Sequence, residues 1–233
     1  MDYIVDFINE VKKIYELDQK KDGYSLINNE LENFNTMFEF FTPLNDEQIK
    51  KLEQDVNCAQ GAQFVFPNWY KDFLKITNGM NLYFGCLCFY GDQTPVIKTD
   101  TGYIRKLIER ENPNWMAPYS LLTNGSIKHD VNCKNRWFTF AGFRDDTLVA
   151  YDYKTNEIVR MRKDPVDLSI KRWKKMSEVD YENKIIHKWK NFEDFFKESI
   201  NMLKNITEEW LNDTEIKKLD GFDRQLELWD RII

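Results

Sequence analysis

Phe66-Pro67-Asn68-Trp69-Tyr70-Lys71-Asp72-Phe73-Leu74-Lys75-Ile76-Thr77-Asn78-Gly79 is the stretch whose reading decides the fold. Pro67 suits the first turn of a helix, where its missing N–H would be unpaired anyway. Trp69, Tyr70, Phe73, Leu74 and Ile76 follow as that helix's apolar residues. Gly79 fits the left-handed residue that commonly closes a helix. Leu82 to Tyr90 is apolar on both alternating sets, which predicts a strand covered on both faces. Gly91 to Pro95 then reads as a turn or loop.

The residues before this stretch open another helix. Asn45 is a natural N-cap and Gln48 sits three residues on, the spacing of a capping box, while Leu44 and Ile49 match a hydrophobic staple. Asp46 and Glu47 favour the positive helix end. Ile49, Leu52 and Val56 form one stripe, so this helix packs by a single face. Nearer the N-terminus, residues 3–17 carry Ile4, Phe7, Ile8, Val11 and Ile14 at helical spacing. Ser25 caps a second helix predicted to run to about Phe41, ended by Pro43. This pair reads either as an extension packed on the main domain or as a dimerisation arm.

Downstream, Asp100 or Thr101 caps a short helix to about Glu111, and Trp115 to Lys134 reads as loop. Trp137 to Ala141, Thr147 to Tyr153 and Glu157 to Met161 are three strands separated by Arg144-Asp145-Asp146 and Lys154-Thr155-Asn156, an antiparallel meander. Residues 163–183 read as charged and irregular, and Lys184 to Lys188 as a short strand. Asn191 caps a long helix to Leu211, and a terminal helix carries Phe222, Leu226, Leu228 and Trp229. The organisation expected is a helical extension over residues 1–41, an α+β domain over 42–211 and a second helical extension over 212–233.

The chain has 233 residues, 42% of them hydrophobic and 15% aromatic, enough for a sizeable core. The charged fraction is 31% and no apolar run reaches the roughly 18 residues of a membrane span. Asp2 and Asp6 and the lack of early basic residues argue against a secretory signal, so the expectation is a cytoplasmic protein. Net charge is −6, the reverse of what a nucleic-acid binder usually carries. Lysines and arginines concentrate between Lys154 and Lys175, which leaves the remainder more acidic and suited to a cationic partner.

Candidate chemistry is sparse. The chain has two histidines, His129 and His187, and neither stands in zinc-protease spacing. No nucleophile elbow, phosphate loop or dinucleotide-binding glycine pattern occurs. His129 with Cys133 would be the base and nucleophile of an enzyme, but their spacing assembles no triad. Cys86 and Cys88 read as a metal or redox pair or, more simply, as two small buried thiols. Asp145 and Asp146 suit a turn. Asp152, between Tyr151 and Tyr153, is either an edge position or a contact on a concave sheet.

Together these residues resemble the SUKH superfamily, which includes the yeast cell-wall synthesis regulator and many bacterial immunity proteins. The resemblance rests on Ile49-x-x-Leu52-Glu53, on Phe66-Pro67-x-x-Tyr70-x-x-Phe73-Leu74-x-x-Thr77-Asn78-Gly79, and on Trp137-Phe138-x-Phe140-Ala141. Thr147-x-x-x-Tyr151-Asp152, Thr155-x-Glu157-Ile158-Val159 and Asn191-Phe192-Glu193-Asp194-Phe195-Phe196 extend it. It implies an α+β fold with a mixed, mainly antiparallel sheet flanked by helices, with Pro67, Asn78, Gly79 and Trp137 as structural positions. It also implies no catalysis; no metal and no cofactor are expected. The role implied is an immunity protein that binds a cognate toxin domain, such as a nuclease, as a monomer or weak homodimer. A regulatory scaffold in cell-wall or signalling processes is the alternative. The acids expected at the partner surface are Asp92, Asp145, Asp146 and Asp152.

Overall fold

The computed structural model describes residues 1–18, 38–60, 62–83, 85–92, 135–145, 147–162, 177–215 and 231. Among these, seven strands form one sheet in sequence order, and all six neighbouring pairs are antiparallel. They are β1 (Phe38–Phe40), β2 (Met80–Leu82), β3 (Leu87–Phe89), β4 (Trp137–Phe143), β5 (Leu148–Asp152), β6 (Glu157–Met161) and β7 (Ile185–Trp189). Five helices accompany them: α1 (Asp2–Asp18), α2 (Asp46–Gln60), α3 (Asn68–Ile76), α4 (Glu178–Glu182) and α5 (Phe192–Asn212). The α+β class is as the sequence predicts, but the sheet is antiparallel in every pair described rather than mixed.

The helix starts follow their local signals. The Asn45 amide donates to Gln48 Oε1 and the Gln48 amide to Asn45 Oδ1, each at 2.9 Å. Asn191 Oδ1 accepts from the Asp194 amide at 2.9 Å, opening α5. Pro67 stands one position earlier than expected, just ahead of α3. Its carbonyl accepts from the Tyr70 and Lys71 amides.

Three expectations are corrected. Phe38–Phe40 is a strand, not the end of a helix, because it pairs with β2; residues 25–37 lie outside the described residues. The apolar run Leu82 to Tyr90 is not one strand. It is part of a hairpin, β2 to β3, whose turn holds Tyr83 and Gly85 at φ 53° and 81°. Tyr83 and Cys86 are buried like the strands they join, which hides the turn in the hydropathy pattern. Within the region read as irregular, Glu178–Glu182 is a helix with a capping box, Ser177 to Asp180. The predicted helix after Asp100, the loop 115–134 and all but one residue of the terminal helix lie outside the described residues.

Two apolar clusters lie on opposite faces of β4 to β6. Phe138, Val149 and Ile158 face the larger, with α1, α2, α3 and α5; Trp137, Ala150 and Val159 face the smaller, with Tyr181 of α4. Adjacent residues divide between them because successive strand side chains alternate. α3 and α5 meet through rings. Trp69 stacks on Phe192 at 4.5 Å and meets Phe140 edge-on at 4.9 Å. Ile4, Ile8 and Val11 of α1 are buried in the same cluster, so that helix shares the core of the sheet.

Thr77, Asn78 and Gly79 join three segments. Thr77 Oγ1 accepts from the Phe41 amide at 3.2 Å and donates to the Gly79 carbonyl at 2.6 Å. The Asp92 amide donates to Asn78 Oδ1 at 2.7 Å, and Asn78 Nδ2 donates to the Asp92 carbonyl at 3.1 Å. Gly79 has φ 87°, although α3 already ends at Ile76, so it turns the chain into β2 rather than capping the helix. A Cβ on Gly91 would lie 2.3 Å from the Asn78 carbonyl oxygen, so only glycine fits there without backbone movement.

Gly91→Ala is therefore expected to destabilise the domain by about 2 kcal/mol or more, as overpacking against backbone does. Asn78→Ala, losing two partly buried hydrogen bonds, is expected to cost about 1–3 kcal/mol. Urea denaturation of both variants measures these losses; values within about 0.5 kcal/mol of wild type, as for a neutral surface change, would contradict the assignment.

Candidate functional site

The main polar constellation is built where β4 begins. Arg136 precedes the strand and reaches three carboxylates. Its Nε and Nη2 donate to Asp152 Oδ1 and Oδ2 at 3.0 and 2.8 Å. Nη1 donates to Glu182 at 2.6 Å and to Glu178. Lys154 donates to Glu178 at 2.8 Å and lies 3.6 Å from Glu182. Strand register explains the convergence: Asp152 is opposite Trp137, and α4 packs Tyr181 against that indole at 5.7 Å. The Arg136 guanidinium also lies 4.2 Å over the Trp137 ring.

Burial alone would weaken the Arg136 charge, but hydrogen bonds to Asp152 and Glu182 outweigh it and push its pKa up. Burial would likewise raise the Asp152 carboxyl. The Arg136 hydrogen bonds, the Lys154 amide and the guanidinium charge together hold it below the usual carboxylate range. Glu178 is also lowered, first by its Lys154 hydrogen bond. Both acidic partners of Lys154 sit on α4, so the arrangement ties that helix to the β5–β6 turn. The Asp152 and Glu178 carboxyls are thus shifted away from, not toward, the neutral range in which acid–base groups work.

The four acids named from the sequence do not converge. Asp152 is buried, 1% exposed, and committed to Arg136. Asp145 lies beyond the far end of β4 and accepts from the Thr147 amide at 2.9 Å and from Arg160 at 2.7 Å, closing the β4–β5 turn. Asp92 is part-exposed, and its backbone is the segment held by Asn78. Asp146, His129 and Cys133 lie outside the described residues.

Pro67, Asn78, Gly79 and Trp137 all have the structural settings described above. Cys86 and Cys88 are buried free thiols, and burial pushes the Cys86 pKa up to about 12, so it stays protonated. His187 is exposed on β7, 3.3 Å from Glu198 and beside the Trp189 ring. Among the described residues no group of three or more His, Cys, Asp or Glu could hold a metal ion. No described helix is long and apolar enough to cross a membrane.

Sequence reasoning missed Arg136, Glu178 and Glu182. One local signal existed, the Ser177-x-x-Asp180 spacing of a capping box. Two open grooves flank β7. One, about 580 Å³, is bordered by Arg136, Lys154, Glu182 and the start of β7. The other, about 750 Å³, lies between β7 and α5.

Comparison with family models matches residues 43–198, roughly two thirds of the chain, to the SMI1 / KNR4 family (SUKH-1). No curated protein and no solved structure matches the chain.

Asp152→Asn breaks a buried ion pair and is expected to cost about 3 kcal/mol near neutral pH. The Asp152 pKa is depressed in the folded protein. Its contribution is therefore complete above the unfolded value, about 3.9, and is lost as pH falls through the lower folded value. Denaturant titrations of both proteins across this range should show the gap narrowing in acid; a pH-independent gap would contradict the ion-pair assignment.

Proposed function

Because the chain belongs to the SMI1/KNR4 family (SUKH-1), we propose that it is a non-catalytic protein-binding domain, an immunity protein that neutralises a cognate bacterial toxin. The observation that carries this reading is the family match over residues 43–198. Charge supports a cationic target such as a nuclease. The net charge is −6, and complementary charge accelerates association and favours the right partner. Exposed acids are available for it on several helices, among them Asp6 and Glu10 on α1 and Glu208 and Glu209 on α5. Tyr83 lies close to two of them: burial first, then the charges of Glu10 and Glu208, push its phenol pKa up.

The contact role proposed for the four acids divides accordingly. Asp92 and Asp146 would meet the partner. Asp145 and Asp152, each bonded to an arginine, would in addition hold the β4–β5 and β5–β6 turns. Inhibition needs no reacting group on this chain, only a surface that occludes or distorts the toxin.

Co-expression with the protein encoded by the adjacent gene tests the proposal. The expected result is rescue of growth and a complex that co-purifies, with affinity falling about tenfold in Asp92→Lys and Asp146→Lys and falling further with added salt. No rescue and no complex would overturn it. Several captured partners beside a harmless neighbour would instead favour the regulatory-scaffold reading.

A further inference from the structure

β7 is an end strand of the sheet: β6 covers one side, and among the described residues no strand pairs with the other. An edge of this kind presents unpaired backbone donors and acceptors to which an extended peptide can add. The opposite edge, β1, is three residues long, whereas β7 has five. Ile186, His187 and Lys188 are all exposed, Ile186 at 43% although it is apolar. One groove is bordered by Ile185 to Lys188 and a second by Lys188 to Lys190, so Lys188 borders both.

The charge of this edge is opposite to that of the chain. Lys184 to Lys190 contains three lysines and a histidine and no acid, in a protein of net charge −6. A register shift opposite Arg160 and Met161 distributes the side chains. Ile185 joins the smaller cluster under α4, while Trp189 joins the larger one. The strand is thus anchored through both faces at its two ends, with the basic residues between and beyond.

Their acidic neighbours hold them loosely. Lys188 lies 3.6 Å from Glu157 and His187 3.3 Å from Glu198, all four side chains substantially exposed. Exposed pairs of this kind contribute little and exchange readily for a partner's carboxylates. Lys190 is exposed and makes no ion pair among the described residues. A second copy of β7 would set lysine near lysine, so self-pairing is disfavoured.

We propose that the outer edge of β7 is a docking site for an extended acidic peptide segment, which pairs with the strand backbone and sets its carboxylates on Lys188 and Lys190. This site is separate from the toxin-binding reading and stands without it.

The test uses the full chain, isotope-labelled for amide NMR, and a blocked peptide alternating glutamate with threonine or valine. Two control peptides replace glutamate by lysine, or N-methylate alternate amides. The expected result is perturbation centred on the Ile185–Trp189 amides, with affinity at least about tenfold weaker for the Lys188→Glu/Lys190→Glu double variant and for both controls. Both substituted side chains are exposed, so the variant retains the fold, which its amide spectrum verifies. No binding of the acidic peptide, equal binding of the lysine peptide, unchanged affinity in the folded variant, shifts centred elsewhere, or concentration-dependent pairing of β7 with itself would overturn the proposal.

Discussion

The Thr77–Asn78–Gly79 turn is the constraint on which the rest of the structure depends. Four hydrogen bonds there bring the end of β1, the start of β2 and the segment after β3 to one place. β1 and β2 are only three residues each, too short to pair stably on their own. Thr77 is buried, so its hydroxyl must be satisfied within the protein, and its two partners, Phe41 and Gly79, lie just beyond the Phe40–Met80 end of the β1–β2 pair. Gly91 lets that crossing close, because any side chain would meet the Asn78 backbone. Beneath it, the Tyr70 hydroxyl donates to the Tyr90 carbonyl at 2.7 Å, tying α3 to the same segment.

From that turn the aromatic core spreads outward. Trp69 and Phe73 of α3 meet Phe192 of α5, and Phe89 and Phe140 meet Phe195 from the sheet side. Rings at these separations gain edge-to-face and offset contacts beyond simple burial. The core is therefore built largely from aromatic residues, and many of the chain's aromatics need no role at an interface. What the scaffold offers a partner is its charged exterior: acidic over much of the helices, basic along β7. The Arg136 node lies between, and its carboxylates neutralise a guanidinium that would otherwise be a buried, uncompensated charge.

How much was legible depended on the range of each interaction. The caps at Asn45 and Asn191 involve partners three residues away, and local spacing revealed both. The β4–β6 meander was readable because its turns are polar and its strands apolar. The β2–β3 hairpin was not, since Tyr83 and Cys86 in its turn are as buried as the strands. β1 was read as helix because Phe38-Glu39-Phe40 takes its conformation from a partner strand some forty residues away. The Arg136 network was invisible for the same reason: its acids lie 16, 42 and 46 residues downstream. Asp152 stood out in the sequence as an acid among tyrosines, but only the register between β4 and β5 shows that its partner is internal.

The chain belongs to the SUKH-1 family, and the proposed role asks one thing more of it, that it silence a toxin by binding alone. Titrating the purified chain into the purified toxin domain, with the toxin's own activity as the readout, tests this most directly. The account predicts activity falling linearly to near zero at one equivalent and unchanged mass of both proteins afterwards. Full toxin activity at several equivalents, or loss of activity accompanied by chemical modification of the toxin, would contradict it.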